Sequence, residues 1–221
     1  MKEQIMTSQV NEPKWWEKTV EYQFVINNHK KFQLIAPLDG KHETGTSDVI
    51  LGQGDKFILI EFKKDATSQK AEFEKFKKNN KSKSDGTIIT ELQKLKNFDC
   101  HFLVYAKLEQ DKELYFLELI HNGYIDYLNP SCQDKKKYSY NEMIEKGKSS
   151  EEFLKYLDDL ENLRIFDTSD GSCDCGGGGG SDFSNILVLD NKGNCQSLSA
   201  FKKIHLTPNP PKNTPSGYKP K

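Results

Sequence analysis

Residues 47–65, SDVILGQGDKFILIEFKKD, decide how this chain is read. Val49 to Leu51 form one apolar run and Phe57 to Ile60 a second, with the turn-forming residues Gly52 to Asp55 between them. That pattern predicts a β-hairpin. The second run is apolar at every position, so its strand is expected to be buried on both faces and to lie inside its sheet. It ends in Glu61, Phe62 and Lys63. Side chains alternate along a strand, which puts Glu61 and Lys63 on one face and turns Phe62 to the other. Asp48 opens the first strand. An antiparallel hairpin lays the start of one strand beside the end of the next, so Asp48 and Glu61 are expected to meet.

Two neighbouring carboxylates repel and require a cation. Mg²⁺ or Mn²⁺ fits, because hard divalent ions take oxygen ligands, often one or two carboxylates with water and substrate phosphates. Asp48, Glu61 and the Phe62 carbonyl are the expected metal ligands. Lys63 is expected to orient or help deprotonate a metal-activated water and to stabilise charge developing on a phosphate. This is the equipment of phosphodiester hydrolysis. A lone Glu-x-Lys at a strand end is ordinarily only an ion pair. The combination with an acid on each strand and an acidic helix upstream is what points to chemistry.

Outward from the hairpin, KWWEKTVEYQFVINN reads as an amphipathic helix with Trp16, Val20 and Phe24 on its apolar face. Glu17 and Glu21 form a stripe beside that face. KFQLIAPL is a short strand ended by Pro37. ATSQKAEFEKFKKNN is a helix, with Phe73 and Phe76 inward, and TIITELQKLKNF a second that begins either as helix or as strand. CHFLVYAKL and ELYFLELI are strands, and YNEMIEKGKSSEEFLKYLDDLENL gives one or two helices, the second capped by Ser149 or Ser150. The order is helix, three strands, helix, two strands, helix, which is an α/β or α+β sheet with flanking helices. Residues 1–165 form one expected domain, 166–182 a glycine-rich linker, 183–206 a β-hairpin extension that docks on the core or extends its sheet, and 207–221 a disordered basic, proline-rich tail. The first 13 residues read as frayed, and no internal repeat is visible.

A formal net charge of -1 over 221 residues rules out a bulk electrostatic argument for nucleic acid, so any basic surface must be local. Lysines do cluster, most densely from Lys75 to Lys83. The five cysteines (Cys100, Cys132, Cys173, Cys175, Cys195) are odd in number and irregularly spaced. With no apolar leader segment, a reduced cytoplasmic protein is expected. Cys173, Cys175, Cys195 and His205 supply only one loose pair, too little for a zinc site. His29, His42, His101, His121 and His205 are scattered, and Tyr22, Tyr105 and Tyr115 read as core residues.

With those residues in hand, the stretch from about 15 to 120 resembles the PD-(D/E)xK nuclease superfamily. Its motif, an acid on one core strand and acid-any-Lys on the next, is matched by Asp48 and Glu61-Phe62-Lys63. Ser47 stands where the family name has proline. The resemblance implies a restriction-endonuclease-like αβββαβ core and Mg²⁺- or Mn²⁺-dependent hydrolysis of DNA. It also implies an acid from the first core helix, Glu21 being preferred and Glu17 the alternative. Gln69 with Phe73 loosely matches a glutamine-aromatic helix motif of the RecB-like branch. Lys64, Gln69, Lys75, Lys77 and Lys78 are the expected nucleic-acid contacts, mainly to phosphates. Restriction or anti-phage defence is the expected setting. The competing readings are a non-catalytic nucleic-acid-binding or assembly module on the same fold, and an RNase. A homodimer or a larger complex fits either, and no membrane association is expected.

Overall fold

The computed structural model describes residues 13–38, 46–77, 83–112, 114–132, 135–164, 186–190, 192–198 and 200. Within them the hairpin forms as its pattern requires. β2 (Val49–Gln53) and β3 (Lys56–Lys63) pair antiparallel, with Val49 opposite Ile60 and Gln53 opposite Lys56. Gly54 turns the corner at φ 60°, a conformation strained for any residue with a Cβ. β1 (Leu34–Pro37) lies antiparallel to β2 on its other side.

A parallel neighbour needs a crossover. α2 (Gln69–Lys77) and α3 (Asp85–Lys94) supply it, carrying the chain from β3 to β4 (His101–Asp111), which pairs parallel to β3. TIIT lies inside α3 and so resolves as helix. β4 then folds back antiparallel onto β5 (Leu114–Gly123). The C-terminal hairpin of β6 (Leu187–Asp190) and β7 (Cys195–Ser197) extends the sheet, with β6 antiparallel to β1. The strand order is β5-β4-β3-β2-β1-β6-β7, in a mixed sheet of seven strands among the described residues.

Helices cover both faces. α1 (Glu17–Asn28) and α5 (Tyr140–Glu145) pack with Ile58, Ile60 and Phe62. α2, α3, α4 (Tyr124–Leu128) and α6 (Ser150–Leu163) pack with Phe57, Leu59 and Leu103. Adjacent β3 residues thus enter opposite cores, and the strand is buried on both faces. Ser149 caps α6: its Oγ accepts from Glu152 N at 3.4 Å and donates to the Glu152 carboxylate at 2.8 Å. Val188 and Leu198 of the terminal hairpin are buried, and Ile186 packs beside them. No helix among the described residues is long and apolar enough to cross a membrane.

Two readings of α1 need correction. Trp16, expected on the buried stripe with Val20 and Phe24, is 68% exposed. It occupies the N-cap with extended backbone (φ -127°, ψ 168°), so the helical period does not govern its direction. Tyr22, expected in the core, is 62% exposed because it lies off the Val20–Phe24 stripe. The glycine-rich segment, the C-terminal tail, the first 12 residues, His42 and Lys78 lie outside the described residues.

Candidate active site

The β2–β3 register continues one residue past β2. Asp48 N donates to the Ile60 carbonyl at 3.2 Å, which sets Asp48 opposite Glu61. Asp48 Oδ2 accepts the Phe62 N–H at 2.5 Å, so its carboxylate is held against the backbone between Glu61 and Lys63. Glu61 and Lys63 share the face that packs against α2, as the alternation predicts. Lys63 Nζ lies 2.5 Å from Glu61 Oε1 and donates to the Phe62 carbonyl at 2.8 Å. Asp48, Glu61, the Phe62 carbonyl and Lys63 are therefore brought together at one end of the hairpin.

The helix acids divide. Glu17 reaches the cluster, its Oε2 3.7 Å from Lys63 Nζ. Glu21 instead pairs with Lys18 at 2.6 Å. The expected phosphate contacts divide as well. Lys75 turns inward, 2.6 Å from Glu61 Oε1 and 3.1 Å from Glu72 Oε1, and belongs to the site itself. Gln69 donates to the Tyr127 carbonyl. Lys77 pairs with Asp85 at 2.5 Å, and Lys64 lies 5.0 Å over the Trp15 ring.

A buried shell missed in the sequence holds the cluster from behind. Ser47 Oγ donates to Glu61 Oε2 at 2.8 Å and stands 3.3 Å from His101 Nε2. His101 Nδ1 lies 2.8 Å from the Tyr156 hydroxyl, and its ring stacks on Tyr124 at 3.9 Å. Tyr124 donates to Glu72 at 2.8 Å and accepts from Arg164 at 2.7 Å, while Arg164 also donates to the Thr46 carbonyl. One end of α6 and the loop before β2 are thereby fastened to the acids on β3 and α2. Buried charges persist only when paired in this way.

The electrostatics are uneven. Burial and then the charge of Glu61 push the Asp48 carboxyl up to about 8. Burial would raise Glu61 too, but Lys75, Lys63 and Arg164 outweigh it and hold that carboxyl well below the usual range. Burial works against the Lys63 ammonium, yet Glu61, Glu72 and Asp48 outweigh it and raise its pKa. Lys63 is therefore a firm cation. Burial, helped by Arg164, drives His101 well below its ordinary value, so it is neutral. Burial also raises Glu17, against the pull of Lys63.

Among the described residues, no three carboxylate, imidazole or thiol groups gather into a ready-made metal cage. The donors present are Asp48, Glu61 and the Phe62 carbonyl. All are hard oxygens, and a small divalent ion needs only one or two carboxylates when water and phosphate complete its shell. Burial first, and the Glu61 charge second, disfavour an ionised Asp48, and a bound divalent ion would counter both. The donor set fits Mg²⁺ or Mn²⁺ on both counts.

No protein-family model, curated protein or solved structure matches the chain.

Proposed function

We propose that the chain is a metal-dependent nuclease of the PD-(D/E)xK type, with DNA as its expected substrate. One observation carries the reading: Asp48, Glu61 and Lys63 converge at one end of the β2–β3 hairpin, Lys63 Nζ lying 2.5 Å from Glu61 Oε1. The element order supports it: a helix, three antiparallel strands, a helical crossover and a strand parallel to the third, as a restriction-endonuclease-like core requires. When bound, a divalent ion supplies Lewis acidity to a scissile phosphate, with Asp48, Glu61 and the Phe62 carbonyl as its holders. Lys63, as a firm cation, stabilises charge developing on phosphate oxygens and acts as a donor rather than a general base. Glu17 draws on the Lys63 ammonium from the solvent side and orients it. Ser47 fixes one oxygen of Glu61.

A second reading, a non-catalytic module on the same fold, has its own support. Glu61 is fully buried and already satisfied by Ser47, Lys63 and Lys75, as in a purely structural ion-pair network. Digestion separates the two. Supercoiled plasmid, single-stranded DNA and single-stranded RNA are incubated with the chain in Mg²⁺, in Mn²⁺ and in EDTA, beside Lys63→Ala. Cleavage that needs metal and Lys63 is expected. Intact substrates under every condition refute the nuclease and leave the module.

A further inference from the structure

The first turn of α1 presents aromatic surface at the rim of the site. Trp16 is 68% exposed, although its neighbours on both sides are tied to the end of β3. On one side, Trp15 Nε1 donates to the Lys64 carbonyl at 3.1 Å, and Lys64 Nζ lies 5.0 Å from the Trp15 ring centre. On the other, Glu17 Oε2 lies 3.7 Å from Lys63 Nζ. The Trp16 backbone is thus fixed beside Lys63 while its indole stands in solvent. Lys18, exposed, donates to Glu21 at 2.6 Å and also feels the charge of Asp48, and Tyr22, 62% exposed, follows on the next turn. Lys14 is exposed just before the two tryptophans.

Leaving an indole in water forgoes the burial that normally stabilises it. An exposed indole two residues after Lys14, beside the acid-lysine cluster read above as a site for phosphate chemistry, matches one ligand class. Aromatic side chains stack on unpaired bases while lysines follow the phosphates. A duplex keeps its base faces stacked inside and offers no partner to an isolated indole. We infer that the substrate enters as a single-stranded nucleic acid, or as an unpaired stretch within a duplex, with a base stacking on Trp16 and a flanking phosphate met by Lys14. This rests on the nuclease reading and adds the strandedness of its substrate. The favoured occupant is nucleic acid rather than protein because the indole adjoins the acid-lysine cluster through Trp15 and Glu17.

The test measures binding by the full chain in EDTA, where cleavage is suppressed. Fluorescein-labelled oligo-dT, oligo-U and a duplex of matched length are titrated, with anisotropy and intrinsic tryptophan fluorescence as readouts. A single strand is expected to bind more tightly than the duplex and to quench tryptophan emission. Trp16→Ala should weaken single-strand binding about 5- to 150-fold, the range of one stacked base. Trp16→Phe should restore part of it, and Lys14→Gln should lower the salt slope by about one. Thermal melting and size-exclusion mass of Trp16→Ala show whether fold and assembly are kept. Three results overturn the inference: equal binding of single strand and duplex, wild-type single-strand affinity in Trp16→Ala, or a change of oligomeric state on Trp16→Ala, which would make the face a protein interface. If plasmid is still cut in Mg²⁺ in any of these cases, the nuclease reading survives and only strandedness is lost.

Discussion

Asp48→Asn should stabilise the metal-free protein, and increasingly so as the pH rises. The Asp48 carboxyl moves from about 3.8 to about 8 on folding, because it is buried and faces the charge of Glu61. Between those values the folded chain keeps a proton that the unfolded chain has released. Stability therefore falls with rising pH across this window, and the loss is complete above about 8. Each unit is worth about 1.4 kcal/mol, so the whole shift corresponds to roughly 5–6 kcal/mol in an unrelaxed site. Asp48 keeps part of its surface exposed beside its buried neighbours, so about half of that is expected in practice. Asparagine keeps an acceptor for the Phe62 N–H, which Asp48 now receives at 2.5 Å, but carries no charge. The stability gap between Asp48→Asn and wild type should widen by about 2 kcal/mol from pH 5 to pH 8.5, or about 4–8 °C in Tm for a domain of this size. Thermal melts in EDTA across that range measure it. Repeating them with Mg²⁺ should narrow the gap, because the ion offsets the charge in wild type only. Parallel stability–pH curves for the two proteins in EDTA would refute the reasoning.

Three further outcomes follow from the same cluster and its supports. Lys63→Ala should abolish cleavage yet bind Mn²⁺ more tightly, because Lys63 Nζ now occupies Glu61 Oε1 and the Phe62 carbonyl at 2.5 and 2.8 Å; unchanged or weaker affinity by calorimetry counts against those donors. Ser47→Ala removes the 2.8 Å bond to Glu61 and should cost about 1–2 kcal/mol in denaturant melts, together with a loss of turnover that Ser47→Thr partly restores. Ser149→Ala should cost about 1 kcal/mol through the lost N-cap of α6 and leave divalent-ion affinity unchanged; a large loss of affinity would show that the whole of α6, through Arg164 at its opposite end, sets the site.

The hairpin was legible because its signals are local. An unbroken apolar run and a glycine turn set the register, and the register places Asp48 opposite Glu61. The helix acid was half legible. Glu17 and Glu21 lie on one stripe, and a four-residue period cannot tell which turn faces Lys63. Trp16 misled because periodicity was extended across a cap, where the backbone is no longer helical. The supporting shell was not legible. Arg164 meets the Thr46 carbonyl across 118 residues, and His101 meets Ser47 across 54, with no spacing rule to connect them. Lys75 and Glu72 sit in a charge-rich segment, QKAEFEKFK, that reads as a solvated helix. Only tertiary packing shows that its inward face carries ions as well as phenylalanines.

The sheet is finished by residues made late in translation. β1 takes its second partner from β6, with Leu34 opposite Asp190 and Ile35 opposite Leu189. While the ribosome is still extending the chain, the outward backbone groups of β1 have no strand beside them, and Leu34, Ile35 and Ala36 offer an apolar edge to any extended neighbour. Crowded nascent chains meet in that interval, when unpaired edges are most prone to misassembly. Deleting the terminal hairpin would recreate it in finished molecules. Such a shortened molecule would keep Asp48, Glu61 and Lys63, because none of them belongs to the terminal hairpin. It would lose its guard against self-pairing while the acid-lysine cluster stayed whole, and its first symptom would be turbidity.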